Sequence, residues 1–111
     1  MTLTLYGLKN CDTCKKALKA LEAQGVDVTF VDIRAEADLD SSVPSWLEAA
    51  GADVLINRRS TTWRGLSETE RESDPGALLK ANPTLIKRPV IETGTTVYVG
   101  WTKEVQAALV S

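Results

Sequence analysis

The fold is decided by the stretch Leu3-Thr4-Leu5-Tyr6-Gly7-Leu8-Lys9-Asn10-Cys11-Asp12-Thr13-Cys14. Its first half alternates apolar and polar residues, which predicts a strand over residues 2–7 and a turn over 7–10. A helix is predicted over 11–24, because apolar residues recur at helical spacing and Gly25 suits the left-handed cap after the last turn. The β-branched run 26–33 predicts a second strand. Strand, helix and strand within about 30 residues predict a βαβ unit with parallel strands and a right-handed crossover.

The rest of the chain is predicted to add helices and then a hairpin. A loop is predicted over 34–40, a second helix that ends at Gly51, and an irregular basic segment over 57–64. Residues 90–92 and 96–99 are predicted to pair as a hairpin around the turn 93–95. The residues expected to cap or open the helices are Ser41 or Ser42, Asp53, Asp74 with Pro75, and Thr102.

This order of elements predicts the fold class. A parallel half followed by an antiparallel half gives an α/β fold, βαβ…ββα, with one four-stranded mixed sheet. The helices between the two halves form an insertion at about 40–83. The length of 111 residues fits a single domain over 1–111.

The composition excludes several function classes. The formal net charge is −2, which gives no general attraction to nucleic acid or to an anionic membrane surface. No run approaches the roughly 20 apolar residues of a membrane span, and residues 1–10 lack the pattern of a secretory signal, so a cytoplasmic location is expected. The chain has no histidine and two cysteines, which excludes Cys-His and Ser-His-Asp catalysis and predicts no bound metal.

The two cysteines form one C-x-x-C motif at the predicted start of the first helix. There the unpaired backbone N–H groups and the positive end of the helix dipole favour a thiolate at Cys11, which is the reactive form. Cys14, one turn later, is placed to act as the resolving thiol, and the pair suggests a redox-active disulfide in a reducing compartment. The alternative is that Cys14 packs as a small core residue, since it shares a helix face with Ala17 and Leu18.

Two basic segments are candidate anion sites. Arg58, Arg59 and Arg64 form either a guanidinium clamp for an oxyanion or a solvated basic loop. The Arg88-Pro89 bond is either a cis bond beside an active site or an ordinary trans bond at the start of an edge strand. Lys9 and Lys15 flank Cys11 and are expected to lower its pKa further.

With these segments assembled, the chain resembles the ArsC/Spx family, and within it the YffB-like branch. The matching residues run from Leu5 to Thr13, from Lys15 to Ala17, from Leu55 to Arg64 and from Ile86 to Pro89. The resemblance spans nearly the whole chain, with three separate motifs in the expected order. It implies a thioredoxin-like fold with a helical insertion, as in ArsC proteins.

The resemblance also implies roles for individual residues. Cys11 corresponds to the catalytic or redox cysteine, and Arg88 to an active-site arginine that precedes a cis-proline. The residues that would line the substrate site are Lys9, Asn10, Arg58, Arg59 and Pro89. The family implies glutathione or glutaredoxin as the reducing partner, a thiol, disulfide or oxyanion as substrate, and no bound cofactor.

The chain departs from the arsenate reductases of this family, whose cysteine attacks an arsenate held by three arginines. Asn57 stands where an arginine is expected, residues 95–100 contain no arginine, and Cys14 adds a second thiol. Fewer cations stabilise a trianionic oxyanion less, whereas the second thiol favours an intramolecular disulfide.

The leading hypothesis is a glutathione-linked thiol–disulfide oxidoreductase. In it Cys11 attacks, Cys14 resolves, and Arg88 with Arg58 or Arg59 attracts an anionic substrate. One alternative is a Spx-like redox-sensing transcriptional regulator that binds RNA polymerase, and another is a weak arsenate reductase.

Overall fold

Strand β1 (Thr2–Gly7) leads directly to the cysteine motif. Leu3, Leu5 and Gly7 are buried, as the alternating pattern predicts. The computed structural model describes residues 2–94 and 96–110 of the chain. Strand β1 pairs in parallel with β2 (Asp27–Asp32) along its whole length, which confirms the predicted βαβ unit.

Helix α1 (Asp12–Ala23) connects these two strands. Cys11 is its N-cap residue, and Gly25, just beyond its C-cap, has the left-handed φ of 78° that the sequence predicts. The helix buries one face against the sheet, because its apolar residues recur at helical spacing. The core cluster on this face consists of Leu3, Leu5, Cys14, Ala17, Leu21, Ile91 and Val105.

A hairpin and a last helix complete this part of the chain. Strand β3 (Val90–Glu92) pairs antiparallel with both β1 and β4 (Val97–Val99), which gives the sheet order β2-β1-β3-β4. Thr102 caps the final helix of the chain (Lys103–Leu109), since its Oγ1 accepts a hydrogen bond from the Val105 N–H at 3.2 Å. The α/β class and the mixed four-stranded sheet are confirmed, while Thr95 of the hairpin turn lies outside the described residues.

The contacts of the chain divide it into two units. The described residues of 1–37 and 88–111 form the first unit, and residues 38–87 form the second. The second unit corresponds closely to the insertion predicted at about 40–83, whereas the reading of 1–111 as one domain stays a prediction. The elements of the second unit are α2 (Leu39–Ala50), α3 (Ala52–Leu55), α4 (Thr61–Arg64), α5 (Glu68–Arg71), α6 (Pro75–Ala81) and a 3-10 turn at Pro83–Leu85. The final helix, Lys103–Leu109, is therefore α7.

Several predicted boundaries in the second unit are wrong. Helix α2 begins after Asp38 rather than after Ser41 or Ser42, and Ser41 lies inside the first turn, where its hydroxyl donates to Asp38 Oδ2 at 3.0 Å. Helix α3 follows Gly51, whose φ is 87°, and Asp53 does not cap it.

Two further helix starts depend on side-chain caps. Residues 61–64 form a helical turn rather than an irregular segment, because Ser60 Oγ accepts a hydrogen bond from the Trp63 N–H at 3.1 Å. The predicted start at Asp74 and Pro75 is confirmed, with Asp74 Oδ2 accepting from the Ala77 N–H at 3.1 Å.

Candidate redox site

The first unit brings Cys11, Cys14 and Arg88 together. In the turn after β1, the Cys11 N–H donates a hydrogen bond to the Leu8 carbonyl at 3.1 Å. At the start of α1, the Lys15 N–H donates to the Cys11 carbonyl at 3.0 Å. Arg88 stands two residues before β3, the strand that pairs with β1. Its guanidinium therefore approaches the helix start from the neighbouring strand and hydrogen-bonds the Cys11 sulfur.

Cys11 lies half-buried at the N-cap of α1. Burial raises the pKa of its thiol, but this is outweighed by the backbone N–H and the thiol of Cys14 and by the Arg88 guanidinium, so the pKa is lowered from its ordinary value. The Cys11 side chain makes no capping hydrogen bond of regular geometry, so the Cys14 N–H acts on its sulfur electrostatically. The predicted thiolate at the helix start is supported by these contacts.

Cys14 is the opposite case. It is 1% exposed, and burial raises the pKa of its thiol to about 12. The negative charge on Cys11 and the hydrogen bond that Cys14 donates to it also raise this pKa, while the Leu8 backbone and Arg88 lower it. No disulfide joins the two cysteines, and the pKa values of their thiols are shifted in opposite directions.

Gly7 makes room for the buried sulfur. A Cβ atom at Gly7 would lie 2.5 Å from Cys14 Sγ and 3.1 Å from Cys14 Cβ. Sequence reasoning missed this role, although a signal was present. Gly7 follows Leu3 and Leu5 on the inward face of β1, and glycine at such a strand position often marks a close approach.

Arg88 and Pro89 have the geometry that the resemblance implies. The peptide bond between them is cis, Pro89 is buried, and its carbonyl accepts a hydrogen bond from the Gly100 N–H at 2.8 Å. The main chain beside Arg88 is therefore anchored to the end of β4.

Lys9 and Asn10 are exposed on the turn that leads into Cys11. Both border a polar cavity of about 370 Å³, and Lys9 also borders a second, apolar cavity of about 160 Å³ next to Cys14. The role of Lys9 and Asn10 in binding a molecule that reacts at Cys11 stays a prediction.

Arg58 and Arg59 lie in the second unit. They border a polar cavity of about 390 Å³ together with Asn57, Lys87 and Asp53. Arg58 forms a salt bridge with Asp53 at 3.1 Å, so part of its charge is already neutralised. The Asn57 amide oxygen accepts the Arg59 N–H at 3.1 Å, which gives Asn57 a structural function in its loop. The use of these arginines as a clamp for the substrate of Cys11 stays a prediction.

Trp63 stacks with two arginines. The Arg58 guanidinium lies 5.5 Å and that of Arg71 5.3 Å from the ring centroid, and Arg71 also donates two hydrogen bonds to the Trp63 carbonyl, at 3.1 and 3.2 Å. Such cation–π contacts fix guanidinium groups at a surface. No sequence pattern indicates the contact between Trp63 and Arg71, because it depends on how α4 and α5 are joined.

Residues 2–94 and 96–110 were also compared with the requirements of a metal site and of a membrane-spanning helix. Over that part of the chain, no three His, Cys, Asp or Glu side chains lie close enough together to hold a metal ion. None of the helices described there is long and apolar enough to cross a membrane.

A thiol with a lowered pKa, a buried thiol one turn away and a guanidinium define the chemistry of the site. They suit nucleophilic attack by sulfur followed by disulfide formation, on the sheet and helix arrangement of a thioredoxin-like fold. The family is shown by sequence, because the model of the ArsC family matches residues 6–109. The chain therefore belongs to the ArsC family.

Similar proteins cover nearly the full length of the chain. An uncharacterized protein of Haemophilus influenzae is 44% identical, over 96% of this chain and 97% of its own. The solved structure of a protein named YFFB (PA3664) is 33% identical with a TM-score of 0.87, over 98% of this chain and 99% of that one. An arsenate reductase (ArsC) related protein from Brucella melitensis is 38% identical with a TM-score of 0.77, over 96% and 93%.

Two further similarities have lower sequence identity. A glutaredoxin from Archaeoglobus fulgidus, 19% identical with a TM-score of 0.51, covers 96% of this chain and 83% of that one and shows the thioredoxin-like fold alone. The global transcriptional regulator Spx of Staphylococcus haemolyticus is 26% identical over 92% of this chain and 82% of its own.

Proposed function

We propose that this protein is a glutathione-linked thiol–disulfide oxidoreductase in which Cys11 attacks and Cys14 resolves. The observation that carries the proposal is the different environment of the two sulfurs. Cys11 is half-exposed and in contact with a guanidinium, whereas Cys14 is buried one helical turn away. The Cys11 thiol therefore ionises more readily than an ordinary cysteine, whereas the Cys14 thiol, with a pKa of about 12, keeps its proton.

The first step is attack by the Cys11 thiolate on a glutathionylated thiol. A new bond forms between Cys11 Sγ and the glutathione sulfur, the original disulfide bond breaks, and the substrate leaves as a thiolate that takes a proton from solvent. The Arg88 guanidinium is placed to stabilise negative charge that is shared between the attacking and leaving sulfurs.

The second step is resolution by Cys14. Once Cys11 is in a mixed disulfide it no longer carries a charge, which removes one of the causes that raise the pKa of Cys14. Cys14 then loses its proton more easily and attacks Cys11 Sγ, so that glutathione leaves and a Cys11–Cys14 disulfide forms. Two further glutathione molecules reduce this disulfide and become glutathione disulfide.

The decisive experiment compares two single substitutions in a reductase assay on a glutathionylated substrate. Cys11→Ser is expected to abolish turnover, because a serine hydroxyl has no sulfur with which to form the mixed disulfide. Cys14→Ser is expected to retain the first step and to accumulate a stable glutathione adduct on Cys11, seen by intact-protein mass spectrometry. Full reductase activity in Cys11→Ser would rule this mechanism out.

Reduction of arsenate is a second candidate, favoured by the arsenate reductase related protein among the similar structures. Arg88 beside Cys11 supports it, while Asn57 in place of an arginine weakens it because the asparagine amide carries no positive charge to hold an oxyanion. Arsenate turnover in the presence of glutathione and glutaredoxin, lost in Arg88→Ala, would support this activity.

A regulatory role is a third candidate, favoured by the likeness to Spx. The same cysteine pair would then act as a redox switch for binding RNA polymerase. A pull-down from cell extract under oxidising and under reducing conditions distinguishes this role, and absence of every polymerase subunit from both would remove it.

A further inference from the structure

Two cavities of the first unit share a wall formed by Leu8 and Lys9. The apolar cavity has a volume of about 160 Å³ and is lined by Leu8, Lys9, Cys14, Lys15, Leu18 and Phe30. The polar cavity has a volume of about 370 Å³ and is lined by Leu8, Lys9, Asn10, Asp32, Arg34 and Ala35. Cys11 lines neither cavity, but Asn10 of the polar lining directly precedes it, and Cys14 of the apolar lining lies one helical turn away.

The apolar cavity suits one large apolar side chain. Leu18 and Phe30 pack against the core cluster but remain only partly buried, so an apolar group that enters the cavity removes further carbon surface from water. Its volume of about 160 Å³ is close to that of an apolar cavity of about 150 Å³ that holds benzene. A leucine or phenylalanine side chain matches this space.

The charges around both cavities favour an acidic partner. Lys9, Lys15 and Arg34 border them, although the chain as a whole has a net charge of −2. The one carboxylate of the two linings belongs to Asp32, whose Oδ1 accepts the backbone N–H groups of Arg34 and Ala35 at 2.8 and 2.9 Å. This local excess of cations attracts carboxylates of a partner.

We infer that the substrate of Cys11 is a cysteine in an acidic polypeptide, next to a large apolar residue and close to an Asp or Glu. This inference rests on the proposed thiol–disulfide activity. Adjacent subsites of opposite chemistry suit a chain that presents an apolar and an acidic side chain in near succession. Glutathione supplies carboxylates but has no apolar side chain, so by itself it leaves the apolar cavity empty.

The test compares the reduction of three peptides, each glutathionylated at a single cysteine. The first has leucine beside the cysteine and aspartate one residue further, the second replaces the leucine with serine, and the third replaces the aspartate with lysine. The kcat/KM for the first peptide is expected to exceed that for the second about tenfold, from burial of the leucine. It is expected to exceed that for the third about fivefold, with a difference that shrinks at high salt.

A matched pair of charge reversals on α1 locates the effect. Lys15→Glu, which alters the lining of the apolar cavity, is expected to lower kcat/KM on the first peptide about fivefold. Lys19→Glu changes an exposed lysine that lines neither cavity, and it is expected to leave kcat/KM unchanged. The alkylation rate of Cys11 is measured in both variants, so that an effect through the thiol itself is recognised.

The outcomes separate this inference from the function on which it rests. Equal kcat/KM for the three peptides, together with turnover of a small glutathionylated thiol, would overturn the inference and leave the proposed function standing. Absence of turnover on every peptide and on the small thiol would overturn both. An equal loss in Lys15→Glu and Lys19→Glu would contradict the assignment of the cavity.

Discussion

Replacing Gly7 with alanine tests how the buried thiol is accommodated. Gly7 is in an ordinary strand conformation, without a positive φ, so alanine suits its backbone and only the space decides the outcome. The new Cβ would lie 2.5 Å from Cys14 Sγ, whereas nonbonded heavy atoms pack at about 3.5–4.0 Å. The sulfur or the strand must therefore move by about 1 Å.

The expected cost follows from the burial of Cys14. This side chain is 1% exposed and belongs to the core cluster, so its sulfur can move only by disturbing packed neighbours or by shifting towards the apolar cavity that it borders. Overpacking of this kind costs about 1–3 kcal/mol, and a glycine-to-alanine change in a compatible conformation offsets about 0.4–1 kcal/mol of it. We expect Gly7→Ala to lower the free energy of unfolding by about 1–2 kcal/mol.

The assay is urea unfolding under reducing conditions, performed as a double-mutant cycle with Cys14→Ala. Without the sulfur, the nearest neighbour of the new Cβ is Cys14 Cβ at 3.1 Å, which must move by only a few tenths of an ångström. The cost of Gly7→Ala in that background is expected to fall to about 0.5 kcal/mol. Gly94→Ala is the control, since no described atom lies within 4 Å of its Cβ position. Additive effects of the two substitutions, or an equal cost at Gly94, would refute the reasoning.

The remaining predictions concern Arg88, Cys14 and Asp74. Arg88→Ala removes a contact that lowers the pKa of Cys11, so the midpoint of the pH profile for iodoacetamide alkylation of Cys11 is expected to rise. The control Lys103→Ala, at an exposed position of α7, is expected to leave this midpoint unchanged. An unchanged midpoint in Arg88→Ala would contradict the contact. Burial raises the pKa of Cys14 from 9.0 to about 12, so the unfolded chain loses this proton at lower pH than the folded protein does. Stability is therefore expected to fall above pH 9, by up to about 1 kcal/mol per pH unit, and the fall is expected to be smaller in Cys14→Ala; equal slopes between about pH 9 and about pH 10.5 in urea unfolding would count against this. Asp74→Ala is expected to lower the free energy of unfolding by about 1 kcal/mol, because it removes the cap of a helix that buries Leu78 and Leu79. Asp74→Asn can still cap this helix and is expected to lose less stability. Equal losses in the two variants would show that the cap is not the cause.

The first unit was predictable because its local signals agree with each other. The alternation in β1, the helical spacing in α1 and the left-handed Gly25 each specify one conformation, and the three are compatible in a single βαβ unit. The position of Cys11 at the helix start follows from these elements. Its contact with Arg88 required the family resemblance, since no local rule connects residues 77 positions apart.

The boundaries in the second unit were less predictable because capping residues compete there. Asp38, Ser41 and Ser42 lie within five residues, and each type can cap a helix. In the structure, Asp38 is the N-cap residue and the Ser41 hydroxyl donates a hydrogen bond to it. Sequence patterns alone do not show which of these residues is the cap. Short helices such as α3 and α4 add few apolar residues, so their periodicity gives little information.

The chemistry of the C-x-x-C motif depends on a residue outside it. Cys11 and Cys14 are the same residue type three positions apart, and their pKa shifts have opposite directions. Burial raises the pKa of both thiols, but at Cys11 the Cys14 N–H and thiol, together with Arg88, outweigh it. The burial of Cys14 requires Gly7, because any side chain at this position would occupy the space of Cys14 Sγ. In a C-x-x-C motif that follows a strand, a glycine at the last inward position of that strand therefore indicates that the second cysteine is buried. In this chain, Gly7 allows Cys14 to lie buried with a raised pKa next to Cys11, and the double-mutant cycle measures the clash between a Cβ at position 7 and the Cys14 sulfur.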